Sequence, residues 1–153
     1  MKYSTCVYLV HENTWLFLKR TKKKNDVNHN KYIGVGGKVE KNESFEQCAI
    51  REVYEETGYK VHQLKFCGQI IFHYPHLEDE VCTIYQSHDY SGIRHECDEG
   101  QLVEVSEEDI FSLDLWEGDR IFLKRMLNDS NEFYFEFYYN EKDQLISYTE
   151  KTI

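Results

Sequence analysis

The sequence predicts an α+β fold built on a mixed β-sheet, and three observations point to it. Segments that alternate as strands do outnumber helical ones. Short turn-like connections let most neighbouring strands pair antiparallel. One long, well-capped helix interrupts them early in the chain. At 153 residues, the chain has the length of one domain. No repeat, low-complexity tract or linker divides it, so residues 1–153 are read as one unit.

Cys6 to Val10 and Thr14 to Lys19 read as two strands meeting at a tight His11-Glu12-Asn13 connection. Arg20 to Lys31, with Lys22-Lys23-Lys24 and Asn25-Asp26, reads as an exposed loop. Gly34-Val35-Gly36-Gly37 follows, a run in which the backbone can turn or approach a ligand closely. Ser44 to Thr57 reads as a helix: Ser44 and Gln47 form a capping box and Gly58 stands where a C-terminal glycine cap belongs. Strands are expected at Gln63 to Gly68, Ile70 to Tyr74, Val81 to Ser87 and Leu102 to Val105, with Pro75 at a turn. Ser106 is placed to cap a short helix, and Asp119 a second one running Ile121 to Leu127. The aromatic run Phe133 to Tyr139 alternates as strand faces do, and with Leu145 to Tyr148 it predicts a closing hairpin across Asn140 to Asp143.

Composition narrows the function. Hydrophobic residues make up 41% and charged residues 30%, which argues against disorder. With 18 Lys+Arg against 28 Asp+Glu the net charge is −10, so a nucleic-acid polymer is repelled and is excluded as a partner. A small anion remains open if a cation mediates the contact. No stretch approaches the ~18 apolar residues of a membrane span, and neither a signal peptide nor a lipidation motif is visible. Five cysteines, Cys6, Cys48, Cys67, Cys82 and Cys97, are scattered and never in a C-x-x-C pair. They read as thiols of a reducing compartment, and a cytoplasmic protein, monomer or homodimer, is expected.

The helix from Ser44 to Thr57 makes little sense as a purely structural element. Glu52, Glu55 and Glu56 crowd its C-terminal half, where carboxylates oppose the macrodipole by about 0.3–1 kcal/mol each. Glu52 and Glu56 also repel one another at i,i+4. At about 100° per residue the three fall within one arc, in line with Phe45, Cys48 and Ala49 one or two turns earlier. A stripe that begins apolar therefore ends acidic. Converging carboxylates suit a hard divalent cation, Mg²⁺ or Mn²⁺ in its place. Arg51, four before Glu55, is placed to fix one of them. A solvated acidic face is the alternative.

The spacing decides between them. The segment reads Gly37-x5-Glu43-x7-Arg51-Glu52-Val53-x-Glu55-Glu56-x-Gly58-Tyr59. It resembles the signature of the Nudix hydrolases over residues 37–59, with all seven fixed letters present. Tyr59, in place of an aliphatic residue, is the one departure. With each residue type at about 6% of composition, a chance match has odds on the order of one in a million. The resemblance implies a Nudix-type α/β/α sandwich with a mixed sheet and a loop-helix-loop catalytic element. It implies Mg²⁺-dependent hydrolysis of a nucleoside diphosphate linked to another moiety. It makes Glu52, Glu55 and Glu56 metal ligands and Glu43 and Arg51 supports for them. The carbonyl of Gly36 or Gly37 would complete the metal shell. One of the glutamates, or a loop carboxylate, would orient the attacking water. Glu99 is the loop candidate for that task or for an extra ligand, with a turn residue as its plainer alternative.

Beyond the signature, Lys31-Tyr32-Ile33-Gly34-Val35-Gly36-Gly37-Lys38-Val39 and Trp116-Glu117-Gly118-Asp119 resemble the MutT-type enzymes that hydrolyse oxidised purine nucleotides. That resemblance makes Gly36 and Lys38 substrate contacts, Trp116 a stacking surface and Asp119 a partner for the base. Core packing for Trp116 and a helix N-cap for Asp119 are the alternatives. Ile33 and Gly118 depart from the animal branch, which has an asparagine and a second aspartate there. Arg20 and Lys19, at the end of the second strand, are reasonable phosphate contacts or ordinary surface charge. His73-x-x-His76 with Glu78 and Glu80 lacks a second ligand pair and reads as a solvated loop. The first reading is hydrolysis of 8-oxo-dGTP to 8-oxo-dGMP and pyrophosphate, a sanitising of the nucleotide pool allied to DNA repair. ADP-ribose, another nucleotide sugar or ordinary NTPs are the enzymatic alternatives, and a nucleotide-sensing domain without turnover is the alternative of another class.

Overall fold

The computed structural model describes residues 1–21, 30–129 and 131–151. The tip of the expected polar loop, with Lys22, Lys23, Lys24, Asn25 and Asp26, lies outside the described residues.

Strand β1 (Lys2–His11) is buried on both faces, as an interior strand must be. It turns through Glu12 and Asn13 into β2 (Thr14–Lys19), pairing Val10 with Trp15. Glu12 takes a positive φ of 55° in that two-residue turn. On its other side β1 runs parallel to β5 (Glu80–Ser91). Strand β5 is antiparallel to β4 (Lys60–His73), which is parallel to β7 (Phe133–Tyr139), and β8 (Leu145–Glu150) closes the edge antiparallel to β7. Strand β2 also pairs with β3 (Tyr32–Ile33) and β6 (Gln101–Ser106). Two parallel pairings among antiparallel ones make the sheet mixed, as expected.

Helix α1 (Phe45–Thr57) covers one face. Its Ala49 and Val53 pack with Val7, Leu9, Leu16, Val35, Val61 and Tyr85. Ser44 caps it: its hydroxyl accepts from the Gln47 N–H at 3.0 Å while the Gln47 side chain accepts from the Ser44 N–H at 2.9 Å. Gly58 ends it at φ 86°, in the left-handed conformation that favours glycine. Helix α2 (Glu117–Asn128) covers the opposite face, with Phe122 and Leu123 against Tyr8, Trp15, Phe17, Ile70, Ile84 and the β7 phenylalanines. The result is an α/β/α sandwich.

Three expectations are corrected. The two strands expected at Gln63 to Gly68 and Ile70 to Tyr74 are one strand, because β-bulges absorb the irregular alternation. Ser106 precedes a 3-10 turn, Glu107–Ser112, but its hydroxyl makes no capping bond. Asp119 does not cap α2. The helix starts two residues before it, Trp116 holds the cap position, and Asp119 is buried in the first turn.

Candidate active site

The glycine run is laid against β1 by backbone bonds. Val7 and Val35 exchange hydrogen bonds at 2.7 and 2.9 Å, and the Thr5 N–H donates to the Gly37 carbonyl at 3.0 Å. The fit is tight enough that a Cβ on Gly36 would sit 1.9 Å from the Thr5 carbonyl oxygen. Gly37 is bare for a different reason: a Cβ there would sit 2.5 Å from Cδ of Glu52. The Gly36 N–H donates to Oε2 of Glu56 at 3.1 Å. Loop and helix thus meet through two of the expected carboxylates.

Arg51 organises the acidic side of this junction. Its Nε and Nη2 donate to the two oxygens of Glu43 at 2.7 and 2.9 Å, a two-pronged contact. Nη1 donates to Glu52 at 2.9 Å and to Glu55 at 3.2 Å, and Nη2 reaches the Lys38 carbonyl at 3.2 Å. The guanidinium holds the Glu43 carboxyl down at about 2. Glu55 is the outermost of the set, its side chain 56% exposed against 16% for Glu52.

Burial dominates the other carboxyls. Glu52 is raised above the ordinary range by desolvation, with the charges of Glu55 and Glu99 adding to it and Arg51 opposing. Glu56 is raised further, first by burial and then by Glu99, whose carboxyl faces it. Glu99 in turn pairs with Arg20, Nη1 to Oε2 at 3.4 Å. Among the described residues no three His, Cys, Asp or Glu side chains are already gathered around one point as ligands, because Arg51 draws Glu52 and Glu55 toward itself. The donor chemistry nonetheless fits a hard divalent cation: oxygen-only groups, partly desolvated and mutually repelling, beside backbone carbonyls.

A cavity of about 250 Å³ opens beside this junction. Arg20, Gly36, Gly37 and Lys38 line it, and so do Trp116 and Asp119. Five of the six expected substrate contacts therefore border one space. Lys19 does not border it; its ammonium lies over the Tyr32 ring, 5.6 Å from the centroid. Trp116 stands edge-on to Tyr139 at 5.6 Å, with Lys31 Nζ 5.4 Å from the indole centre. Burial pushes the Asp119 carboxyl up from 3.8 to about 7, against the pull of Lys31.

Sequence reasoning missed Phe72, Tyr74, Glu80 and Tyr139 of the lining. Phe72 and Tyr74 come from β4 and the residue just beyond its end, Glu80 from β5 and Tyr139 from β7, and only the sheet register brings them together. The histidine motif is also changed. His73 lies in β4, stacked on Tyr138 at 4.5 Å, with Asp79 and Glu136 each 3.0 Å from a ring nitrogen. It is half-buried and held between two carboxylates rather than solvated, while the exposed His76 meets Glu141 at 2.9 Å.

The chain is similar to known proteins in sequence and in fold. The chain is 29% identical over 130 residues to the mouse (Mus musculus) oxidized purine nucleoside triphosphate hydrolase, covering 83% of this chain and 81% of that protein. Over 34 residues, 22% of each chain, it is 59% identical to the putative 8-oxo-dGTP diphosphatase YtkD of Bacillus subtilis. The crystal structure of a MutT protein from Bacillus halodurans superposes with a TM-score of 0.87 at 22% identity, covering 99% of this chain and 98% of that one, and so shares its fold. The model of the NUDIX domain matches residues 2–127, and the chain belongs to the Nudix hydrolase family.

Proposed function

We propose that this chain hydrolyses oxidised purine nucleoside triphosphates, 8-oxo-dGTP foremost, to the monophosphate and pyrophosphate, with Mg²⁺ as cofactor and Mn²⁺ as a substitute. Enzymes of the family act on nucleotides and typically depend on a divalent metal. One observation carries the finer reading: the cavity holding Trp116 and Asp119 opens at Gly36 and Gly37, the backbone that Glu52 and Glu56 abut. The names of the mouse and Bacillus subtilis relatives agree with it.

The residues divide the work by charge. Trp116 offers a face to the base, and Asp119, poised near neutrality, offers a hydrogen bond to its edge. Arg20 and Lys38 receive the phosphates at the rim. Glu52, Glu55 and Glu56, with Glu99 and the Gly37 carbonyl, would hold the cation. When bound there, such a cation would neutralise phosphate charge and make the attacking water more acidic. Glu43 and Arg51 keep Glu52 and Glu55 aimed. Water adds to one phosphorus of the α–β bridge, passing a proton to a carboxylate of the site, and the bond from that phosphorus to the bridging oxygen breaks. Attack at the α-phosphorus expels pyrophosphate, attack at the β-phosphorus expels the monophosphate, and the products are the same two.

The test is a substrate panel of 8-oxo-dGTP, dGTP and ADP-ribose with Mg²⁺, products separated by chromatography. 8-oxo-dGMP and pyrophosphate are expected, at a kcat/KM about tenfold or more above dGTP. Preferential turnover of ADP-ribose, or equal turnover of dGTP, overturns the reading.

A further inference from the structure

The cavity contains a second carboxylate that no signature accounts for. In the sheet register Glu80 of β5 stands between Lys2 of β1 and Phe72 of β4. Side chains two apart share a face. Cys82 and Ile84, next along β5, belong to the core under α2, so Glu80 projects toward that helix as well. It lines the base cavity from the sheet, whereas Asp119 lines it from α2. It also borders an adjoining cavity of about 260 Å³, together with Lys2, Tyr74 and Trp116.

Its acceptor capacity is only partly used. Oε2 of Glu80 accepts from the Ser4 hydroxyl at 2.5 Å. Oε1 lies 3.6 Å from Lys2 Nζ, an ion-pair separation too long for a hydrogen bond. A carboxylate offers about four lone-pair sites, so Oε1 can take an N–H donor. The side chain is 20% exposed, and the neighbouring walls are the aromatic faces of Phe72, Tyr74 and Trp116. Glu80 offsets the charge of Lys2 at this end, while Arg20 and Lys38 stand at the rim to receive phosphates. That charge pattern suits a nucleotide entering base-inward. Ile33 and Gly118 bring no polar side-chain atom to this end.

We propose that Glu80 reads the base: its free oxygen accepts a hydrogen bond from the exocyclic amine of a guanine-type purine, with Ser4 and Lys2 fixing its rotamer. This rests on the oxidised-purine reading above and names the group that is recognised. Glu80 makes the site favour bases that bear the amine over the same bases without it.

The experiment measures binding by calorimetry on the full chain with Mg²⁺. The probes are 8-oxo-dGMP, 8-oxo-dIMP, which lacks the amine, and ADP-ribose. The native protein is expected to bind 8-oxo-dGMP about tenfold or more tightly than 8-oxo-dIMP, as one hydrogen bond to a charged group allows. Glu80→Met removes the acceptor at similar length and should bind the two alike, with 8-oxo-dIMP unchanged. Glu80→Gln, which keeps a neutral acceptor and the Ser4 bond, should fall between. Thermal melts show that each variant is folded. A Glu80→Met protein that keeps the native preference overturns the proposal, as does a native protein with none. Binding of ADP-ribose alone removes the oxidised-purine reading and this inference with it, an outcome distinct from both.

Discussion

Arg51 grips Glu43 with two nitrogens, Nε at 2.7 Å and Nη2 at 2.9 Å, and extends its third to Glu52 and Glu55. A lysine has no such fork. Arg51→Lys is expected to lower kcat or Mg²⁺ affinity by about 10–100-fold, the usual effect of losing a group that orients metal ligands. Far-UV circular dichroism should not change. Native kinetics in the lysine variant would remove Arg51 from its organising role.

The two adjacent glycines should behave differently. At Gly37 an added methyl meets the end of the Glu52 side chain, which can swing away. Gly37→Ala should therefore fold and lose most of its activity. At Gly36 the obstacle is the Thr5 backbone at 1.9 Å, so Gly36→Ala should lower unfolding stability by about 1–3 kcal/mol. Urea denaturation of both variants, beside their kcat values, separates the two effects.

Glu52, Glu56 and Glu99 push against one another in a partly buried space. A chelator is expected to abolish turnover and Mg²⁺ to restore it. Because an ion that binds only the folded state stabilises it, Mg²⁺ should also raise Tm. Glu56→Gln should lower kcat by about 10²–10⁴-fold and reduce that rise in Tm. A melting temperature indifferent to Mg²⁺ in the native protein would contradict the assignment.

Asp119 gives a pH dependence with a definite sign. Its folded value of about 7 exceeds the ordinary 3.8. Below pH 3.8 folded and unfolded chains both hold the proton; between about 4 and 7 only the folded chain does. Stability from this group is thus complete in acid and is lost as pH rises through 7, by on the order of 4 kcal/mol. Asp119→Asn should remove that slope, so the gap between variant and native protein grows from pH 4.5 to pH 8. Parallel urea midpoints at the two pH values would refute it.

Trp116 is partly buried against Tyr139, with one approach held by Lys31. Removing a base-stacking ring forfeits about 1–3 kcal/mol. Trp116→Ala should lower kcat/KM for 8-oxo-dGTP by about 10–100-fold, mainly through KM. Hydrolysis of a bare tripolyphosphate, measured in parallel, should be unaffected.

What could be read from the chain depended on the range of the interaction. The capping box of Ser44 and Gln47 and the left-handed Gly58 are local, and both stand where the residue pattern put them. Asp119 was expected at a cap because an acid before an apolar run is the usual sign. Trp116 takes that position without a capping bond, and the Gly118 N–H goes instead to the Tyr139 hydroxyl at 2.9 Å. Glu80 was invisible as a cavity residue, since its position depends on the register with Phe72 across the β4–β5 connection and on pairing with Lys2, far away in sequence. The nearness of Glu99 to Glu56 likewise needed the fold.

Strand β1 has a further consequence. Its odd positions Val7 and Leu9 support the helix that bears the glutamates, while its even positions Ser4, Cys6 and Tyr8 face the side of the sheet where the base cavity lies. On the proposed function, the residues toward the base and those beneath the glutamate-bearing helix stand on opposite sides of one ribbon, so the even-numbered ones can change to admit a new nucleotide while those under the helix stay as they are.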